Sequence, residues 1–240
     1  MFGGAGYYRK RKIQSIFGAE FDGTNDSIRN TSALTSSTDA TWSFWTRPYI
    51  DTGNTTYIFS IKRSDNNSNS SLFHCGSLGS GVFRIRLSPR TNTGSGVGQV
   101  AYIGSDNHLW HHCVASYSYA NDILQLAVDG VLRDTSSFTG VPFLNQGVTI
   151  GDLWTNNRKY GGDIALFWFD DEYVDLSVQA NIDKFYSATN PVGKFGSNGQ
   201  LPLGSTPLIF LKEFNDFQIN LGSYSNFTVT GSLTQGAALP

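Results

Sequence analysis

Residues 123–137, ILQLAVDGVLRDTSS, narrow the possible folds more than any other stretch, because two alternating runs meet at Asp129-Gly130. A two-residue type I′ turn needs positive φ at both positions, which Asp and Gly tolerate, so the spacing predicts a tight antiparallel hairpin. Leu124, Leu126 and Val128 then share the core-facing side, and Gln125 and Ala127 share the other.

The same pattern recurs along the chain. Short β-branched and aromatic runs bounded by Gly, Asn, Asp or Pro predict strands near 14–21, 25–29, 41–49, 56–63, 71–77, 82–88, 98–103, 109–118, 122–129, 131–136, 147–151, 162–170, 207–213 and 226–231. Charged residues are 15% of the chain, against about 25% in ordinary globular domains, which favours turns and polar strands over helices. One short helix is expected near 177–188, capped by Ser177, with Val178, Ile182 and Phe185 as its apolar stripe and Asn190-Pro191 as its end. At 240 residues such a chain reads as one sandwich domain over 18–233, with an arm at 1–17 and a tail at 234–240.

Charge is uneven. Arg9, Lys10, Arg11 and Lys12 precede the first acid, Glu20, and the remainder of the chain holds 13 basic against 19 acidic residues. A net charge of −2 gives no field that would gather nucleic acid or an anionic membrane, so neither is an expected partner, and the basic run reads as a docking arm. No stretch approaches the roughly 18 apolar residues of a membrane span. The start, MFGGAGYYRKRK, lacks the apolar region of a signal peptide, so synthesis in the cytoplasm is expected. Cys75 and Cys113 are too few for a disulfide framework and are expected as reduced thiols.

LWHHCVASY, residues 109–117, sets His111, His112 and Cys113 side by side. A strand sends His111 and Cys113 one way and His112 and Val114 the other, so the three cannot converge on one ion and the segment reads as structural.

FDGTNDSI (21–28), TWSFWTRP (41–48), LWHHCVASY, LQLAVDG (124–130), VTIGD (148–152) and GGDIALFWFDDEYVDLS (161–177) together resemble, in order and spacing, the concanavalin A-like lectin/laminin-G jelly-roll superfamily. The resemblance covers about residues 20–190 and implies an all-β fold: a two-sheet antiparallel sandwich of around 12 to 14 strands with Greek-key connections. The sequel at 201–233 looks like a strand-bearing tail found with this fold in tailed-bacteriophage structural proteins.

Hydrolases of this superfamily carry a paired-carboxylate strand motif, E-x-D-x-x-E, which this chain lacks. The acids Asp170, Asp171, Glu172 and Asp175 read as a solvated turn at the helix start, and TNTGSGVGQV (91–100) as a glycine-rich hairpin rather than a phosphate loop. The family's calcium-binding rim pattern would put a carboxylate at Ala165, and Asp22, Asp26 and Asp163 read as turn residues, so neither metal nor cofactor is expected. The loop LWTNNRKYGG (153–162) offers Trp154, Asn156, Asn157, Arg158 and Tyr160, a set suited to a glycan or a protein partner, with burial of Trp154 as the structural alternative.

The expectation is therefore a non-enzymatic virion structural protein of a tailed phage, a capsid decoration, head-fibre or tail-associated component. It would dock on other virion subunits through Phe2, Tyr7, Tyr8, Arg9, Lys10, Arg11 and Lys12 and form a homo-oligomer. The alternative is a carbohydrate-binding module that attaches its carrier to a surface polysaccharide.

Overall fold

The computed structural model describes residues 15–32, 34, 38–48, 55–62, 71–78, 84–89, 99–104, 108–137, 147–153 and 158–240. Asp129 and Gly130 take φ of +51° and +77°, as a type I′ turn requires, and join β9 (Ile123–Val128) to β10 (Val131–Ser137). The first sheet runs in the order β10, β9, β8 (His111–Ser118), β3 (Asp39–Pro48), β12 (Gly161–Asp170), β1 (Phe17–Asp22) and β15 (Thr234–Ala238), with β13 (Ile209–Leu211) also on β12. The second runs β14 (Thr228–Thr230), β2 (Ser27–Asn30), β11 (Val148–Ile150), β4 (Thr55–Lys62), β5 (Ser71–Leu78), β6 (Arg84–Pro89) and β7 (Val100–Ile103). All these pairings are antiparallel, and each of the fourteen expected strands has its counterpart.

Alternation places the core between the sheets. Trp42 and Phe44 of β3, Phe59 of β4 and Phe167 and Phe169 of β12 form its aromatic centre, with ring centroids 5.4–6.0 Å apart. Leu124, Leu126 and Val128 join it as the hairpin reading requires. Gln125 and Ala127 on the opposite face are buried as well, because a second layer covers the outside of the first sheet. That layer is built from Val174, Leu176, Ile182, Phe185 and Phe195, packed on Trp45, Val114, Leu166, Trp168 and Phe210.

β12 serves both layers through a bulge. Leu166 has φ +50°, the register to β3 shifts between Ala165 and Trp168, and the extra residue lets Ala165 and Leu166 both face outward. Gln125 ties the second layer down: its carboxamide oxygen accepts from Leu176 N at 2.8 Å and from the Tyr173 hydroxyl at 3.1 Å.

Three expectations change. The helix is a single turn, α1 (Gln179–Ile182), capped by no side chain; Asp175 takes the Ser177 amide instead, and Val178 is exposed. Residues 234–238 form the edge strand β15 on β1 rather than a tail. Asp170 is buried rather than solvated, because β13 and the chain leading into it pack beside it, and its Oδ1 accepts from Leu208 N at 3.3 Å.

Burial pushes the Asp170 carboxyl up to about 6 from 3.8. A carboxyl whose pKa is higher in the fold contributes stability that is full below about 4 and lost as pH rises through about 6. Asp170→Asn keeps the acceptor for Leu208 N and removes the charge. The variant should unfold at higher urea than the parent at pH 7.5, by roughly 1–3 kcal/mol, and the gain should shrink toward pH 4. An equal difference at both pH values would contradict this.

Candidate functional site

Outward-facing positions of the second sheet line up across six strands. Register pairs Thr228 with Arg29, Arg29 with Thr149, Thr149 with Ser60, Ser60 with position 74 and position 74 with Ser88. Their sequence neighbours Ile28, Val148, Ile150, Phe59, Ile61 and Leu87 point into the core, so the polar residues share the opposite face. The row offers hydroxyls and a guanidinium rather than carboxylates. Burial differs along it: Thr149 and Ser60 are shut from solvent and Arg29 is half-buried.

Residues 151–153 and 158–160, the described parts of the connection from β11 to β12, bond to β4 at this row. Gly151 turns at φ +82°, where the ring of Phe21 occupies the space of a Cβ. Its amide donates to Ile58 O at 2.8 Å, its carbonyl accepts from Tyr160 N at 2.9 Å, and Tyr57 N donates to Arg158 O at 3.3 Å. The loop is thereby rooted at both ends on β4. From the root, Asp152 O accepts from Ser60 Oγ at 3.1 Å, Asp152 Oδ2 pairs with Lys159 Nζ at 2.7 Å, and Lys159 Nζ donates to Ser27 Oγ at 3.3 Å. Two buried oxygens here, Thr149 Oγ1 and Asp152 Oδ1, have no hydrogen-bond partner among the described residues.

Of the residues expected to touch a glycan or partner, Arg158 is exposed at the loop's root. Tyr160 is a correction: it is fully buried, its hydroxyl hydrogen-bonds with Thr46 Oγ1 at 2.5 Å, and its ring packs edge-on against Phe21. An aromatic one residue before a strand is drawn into the core by that strand. Trp154, Asn156 and Asn157 lie outside the described residues, as do Phe2, Tyr7, Tyr8, Arg9, Lys10, Arg11, Lys12 and most of the 91–100 hairpin.

The histidine–cysteine stretch divides between faces. Cys113 is buried in the core. His111 Nδ1 lies 2.8 Å from Asp129 Oδ2, and Asp129 Oδ1 accepts from the His112 amide at 2.9 Å, so the turn aspartate clamps β8. The His112 ring is buried between Trp45 and Tyr186, and its Nε2 hydrogen-bonds with Ser43 Oγ at 2.9 Å.

The acids considered for calcium serve the frame. Asp22 Oδ1 accepts from the amides of Thr24, Asn25 and Asp26, and these bonds hold its carboxyl below the usual range against the opposing effect of desolvation. Asp26 binds the amides of Asp22 and Ser232. Asp163 is buried beside Arg47, whose Nε donates to its Oδ2 at 2.9 Å. Among the described residues no group of three His, Cys, Asp or Glu is placed to hold a metal ion.

Sequence reasoning reached the loop and missed the row beneath it. VTI and FSI carry their signal as one polar residue between apolar ones, and SIRN sets Arg29 beside a single inward Ile28, but nothing local says that the three stand side by side.

A family model described as the concanavalin A-like lectin/glucanases superfamily matches residues 22–172. No curated protein matches the chain. Among solved structures, a native heptameric SAP-like pentraxin from Limulus polyphemus superimposes with TM-score 0.65 at 15% identity, over 92% of this chain and 94% of that one. A putative carbohydrate binding protein from Bacteroides ovatus gives 0.56 at 12% identity, over 95% of this chain and 62% of that one. The binding domain of botulinum neurotoxin DC in complex with SialylT gives 0.53 at 10% identity, over 73% and 46%. The chain thus spans less than two thirds of the last two, and at these identities the likeness is one of fold.

Proposed function

The chain belongs to the concanavalin A-like lectin/glucanases superfamily, and from that premise we propose that it is a non-catalytic carbohydrate-binding module whose glycan lies along the polar row of the second sheet, at the 151–160 loop. One observation carries the reading. The two sheets differ on their outer faces: the first is sealed by an apolar second layer, while the second carries a polar row in register that reaches the surface at half-buried Arg29 and exposed Thr228, with Arg158 exposed at the loop's root.

Sugars supply what such a face lacks. The Arg29 guanidinium donates to a sugar oxygen, the exposed Thr228 hydroxyl exchanges a hydrogen bond with a neighbouring ring hydroxyl, and Arg158 offers a planar donor at the rim. The names of two structural neighbours, a putative carbohydrate binding protein and a binding domain in complex with SialylT, point the same way. A virion setting, in which Phe2, Tyr7, Tyr8 and Arg9 to Lys12 anchor the module to a neighbouring subunit, rests on the sequence alone, on residues 1–12 and on the resemblance of 201–233.

On a glycan array the protein should bind a defined set of polysaccharides. Thr228→Val and Arg158→Ala should each weaken that binding about tenfold, equivalent to about 1.4 kcal/mol, with the circular dichroism of the parent retained. Trp154→Ala should do the same if its ring is the stacking platform. Binding undiminished in Thr228→Val and Arg158→Ala, or no binding to any glycan on the array, would refute the site.

A further inference from the structure

β15 completes the first sheet while burying little of itself. None of its five side chains, Thr234 to Ala238, is fully buried. Its hold is polar and backbone-mediated: Thr234 Oγ1 donates to Glu20 Oε2 at 2.9 Å, Ala237 N to Asp163 Oδ2 at 3.1 Å, Trp110 Nε1 to Ala238 O at 2.8 Å, and Leu239 N to Ile16 O at 2.8 Å. It follows β14, in the other sheet, through a turn with Gly231 at φ +82°, pinned where Ser232 N donates to Asp26 Oδ1 at 2.8 Å.

The slot beside β1 is selective about what fills it. At Gly18 the ring of Trp110 takes the space of a Cβ, and the β1–β15 register shifts between Phe17 and Ala19. Opposite this irregularity stands Gly236, where a Cβ would collide with the buried Asp163 carboxylate. A strand that fits must carry glycine there and small residues after it, so the complementary segment is TQGAA itself.

We infer that the β1 edge accepts this strand from a second copy of the chain, so that two copies exchange their β15 strands. Exchange recreates every contact of the closed form in trans, and the two states differ only in the conformation of the 231–233 turn and in association entropy. At low concentration the short connection favours the strand's own subunit through a millimolar effective concentration; crowding of copies on a shared surface removes that advantage. Release of the strand withdraws no fully buried side chain, only the half-buried Leu233 and Leu239 that flank it, so the apolar barrier is modest.

Glu20 and Thr234 stand directly opposite each other in the ladder, which supplies the test. Two differently tagged full-length chains, one Glu20→Cys and the other Thr234→Cys, are refolded together at high concentration, oxidised and run on a non-reducing gel. A disulfide-linked heterodimer is expected, and it should disappear when the Thr234→Cys chain also carries Gly236→Val, with its circular dichroism unchanged. The inference is overturned if the two chains stay unlinked while a Glu20→Cys/Thr234→Cys chain closes its own disulfide, or if the heterodimer survives Gly236→Val.

Discussion

Trp168→Ala should lower the free energy of unfolding by about 3–5 kcal/mol, the range for removing a large aromatic from a packed interior. Trp168 stands on the outward face of β12 just beyond the Leu166 bulge, is fully buried, and belongs to the layer that seals the first sheet. Its ring meets Phe185 edge-on at 5.1 Å, and its indole N–H donates to Gly199 O at 2.9 Å. Truncation therefore opens a cavity and orphans a buried carbonyl in the same event. The loss should fall first on residues 174–200, which depend on this face for burial. Urea unfolding gives the magnitude, and amide exchange should show the Phe185 and Phe195 region losing protection more than Leu124 to Val128. A loss under 1 kcal/mol, or uniform deprotection, would show that the second layer is not held by this residue.

How far such a layer can be anticipated is seen in GDIALFWFD. Its unbroken apolar run predicts a strand and nothing more, since alternation alone would leave one face wet. The bulge at Leu166 puts two consecutive residues on one side, and Trp168 returns there; a strand apolar on both faces implies a cover on each. Hairpins were legible because their signal is local: Asp129-Gly130 with flanking alternation determines β9, β10 and the inward leucines. β15 was not, because Thr, Gln, Gly and Ala carry weak strand preference and the slot beside Asp163 supplies the reason for pairing. The helix shortened for a related cause: the 178–185 stripe contains Ile182 and Phe185, which do reach the second layer, but Val178 lies outside it.

The candidate site shows the same limit in sharper form. The loop at 153–162 announces itself by composition, yet Arg29, Ser60 and Thr149 sit in three segments separated by about 30 and 90 residues and meet only through the order β2, β11, β4. Register between distant strands is set by the whole core. Tyr160 failed as a contact residue by the same physics, because the Phe21 ring and the Thr46 hydroxyl that hold it arrive from β1 and β3.

Acid should destabilise the fold through His112 by roughly 4 kcal/mol, with the wild-type slope approaching 1.4 kcal/mol per pH unit below about 6.5. Burial among Trp45, Tyr186 and Ser43 pushes its imidazole down to about 3 from 6.5, and the nearby Asp129 carboxylate offsets only part of that. With the folded pKa depressed, the unfolded chain binds the proton first. The histidine's contribution is full above 6.5, falls as pH drops, and is exhausted near 3. Asp170 acts in the opposite sense between about 4 and 6, so the raw pH curve mixes the two and a paired comparison is needed. His112→Phe keeps a ring between Trp45 and Tyr186 and cannot titrate, at the cost of about 1 kcal/mol for the Ser43 hydroxyl left without its partner. Removal of the buried His112 Nδ1, which has no partner among the described residues, offsets part of that loss, so the test is the change with pH: the variant should gain on wild type by about 2–3 kcal/mol between pH 6.5 and 4.5, as the unfolded histidine takes up its proton. Parallel stability curves for the two proteins from pH 7.5 to 4 would mean that the imidazole is reachable by water in the fold, and the sealed aromatic slot behind β8 would have to be abandoned.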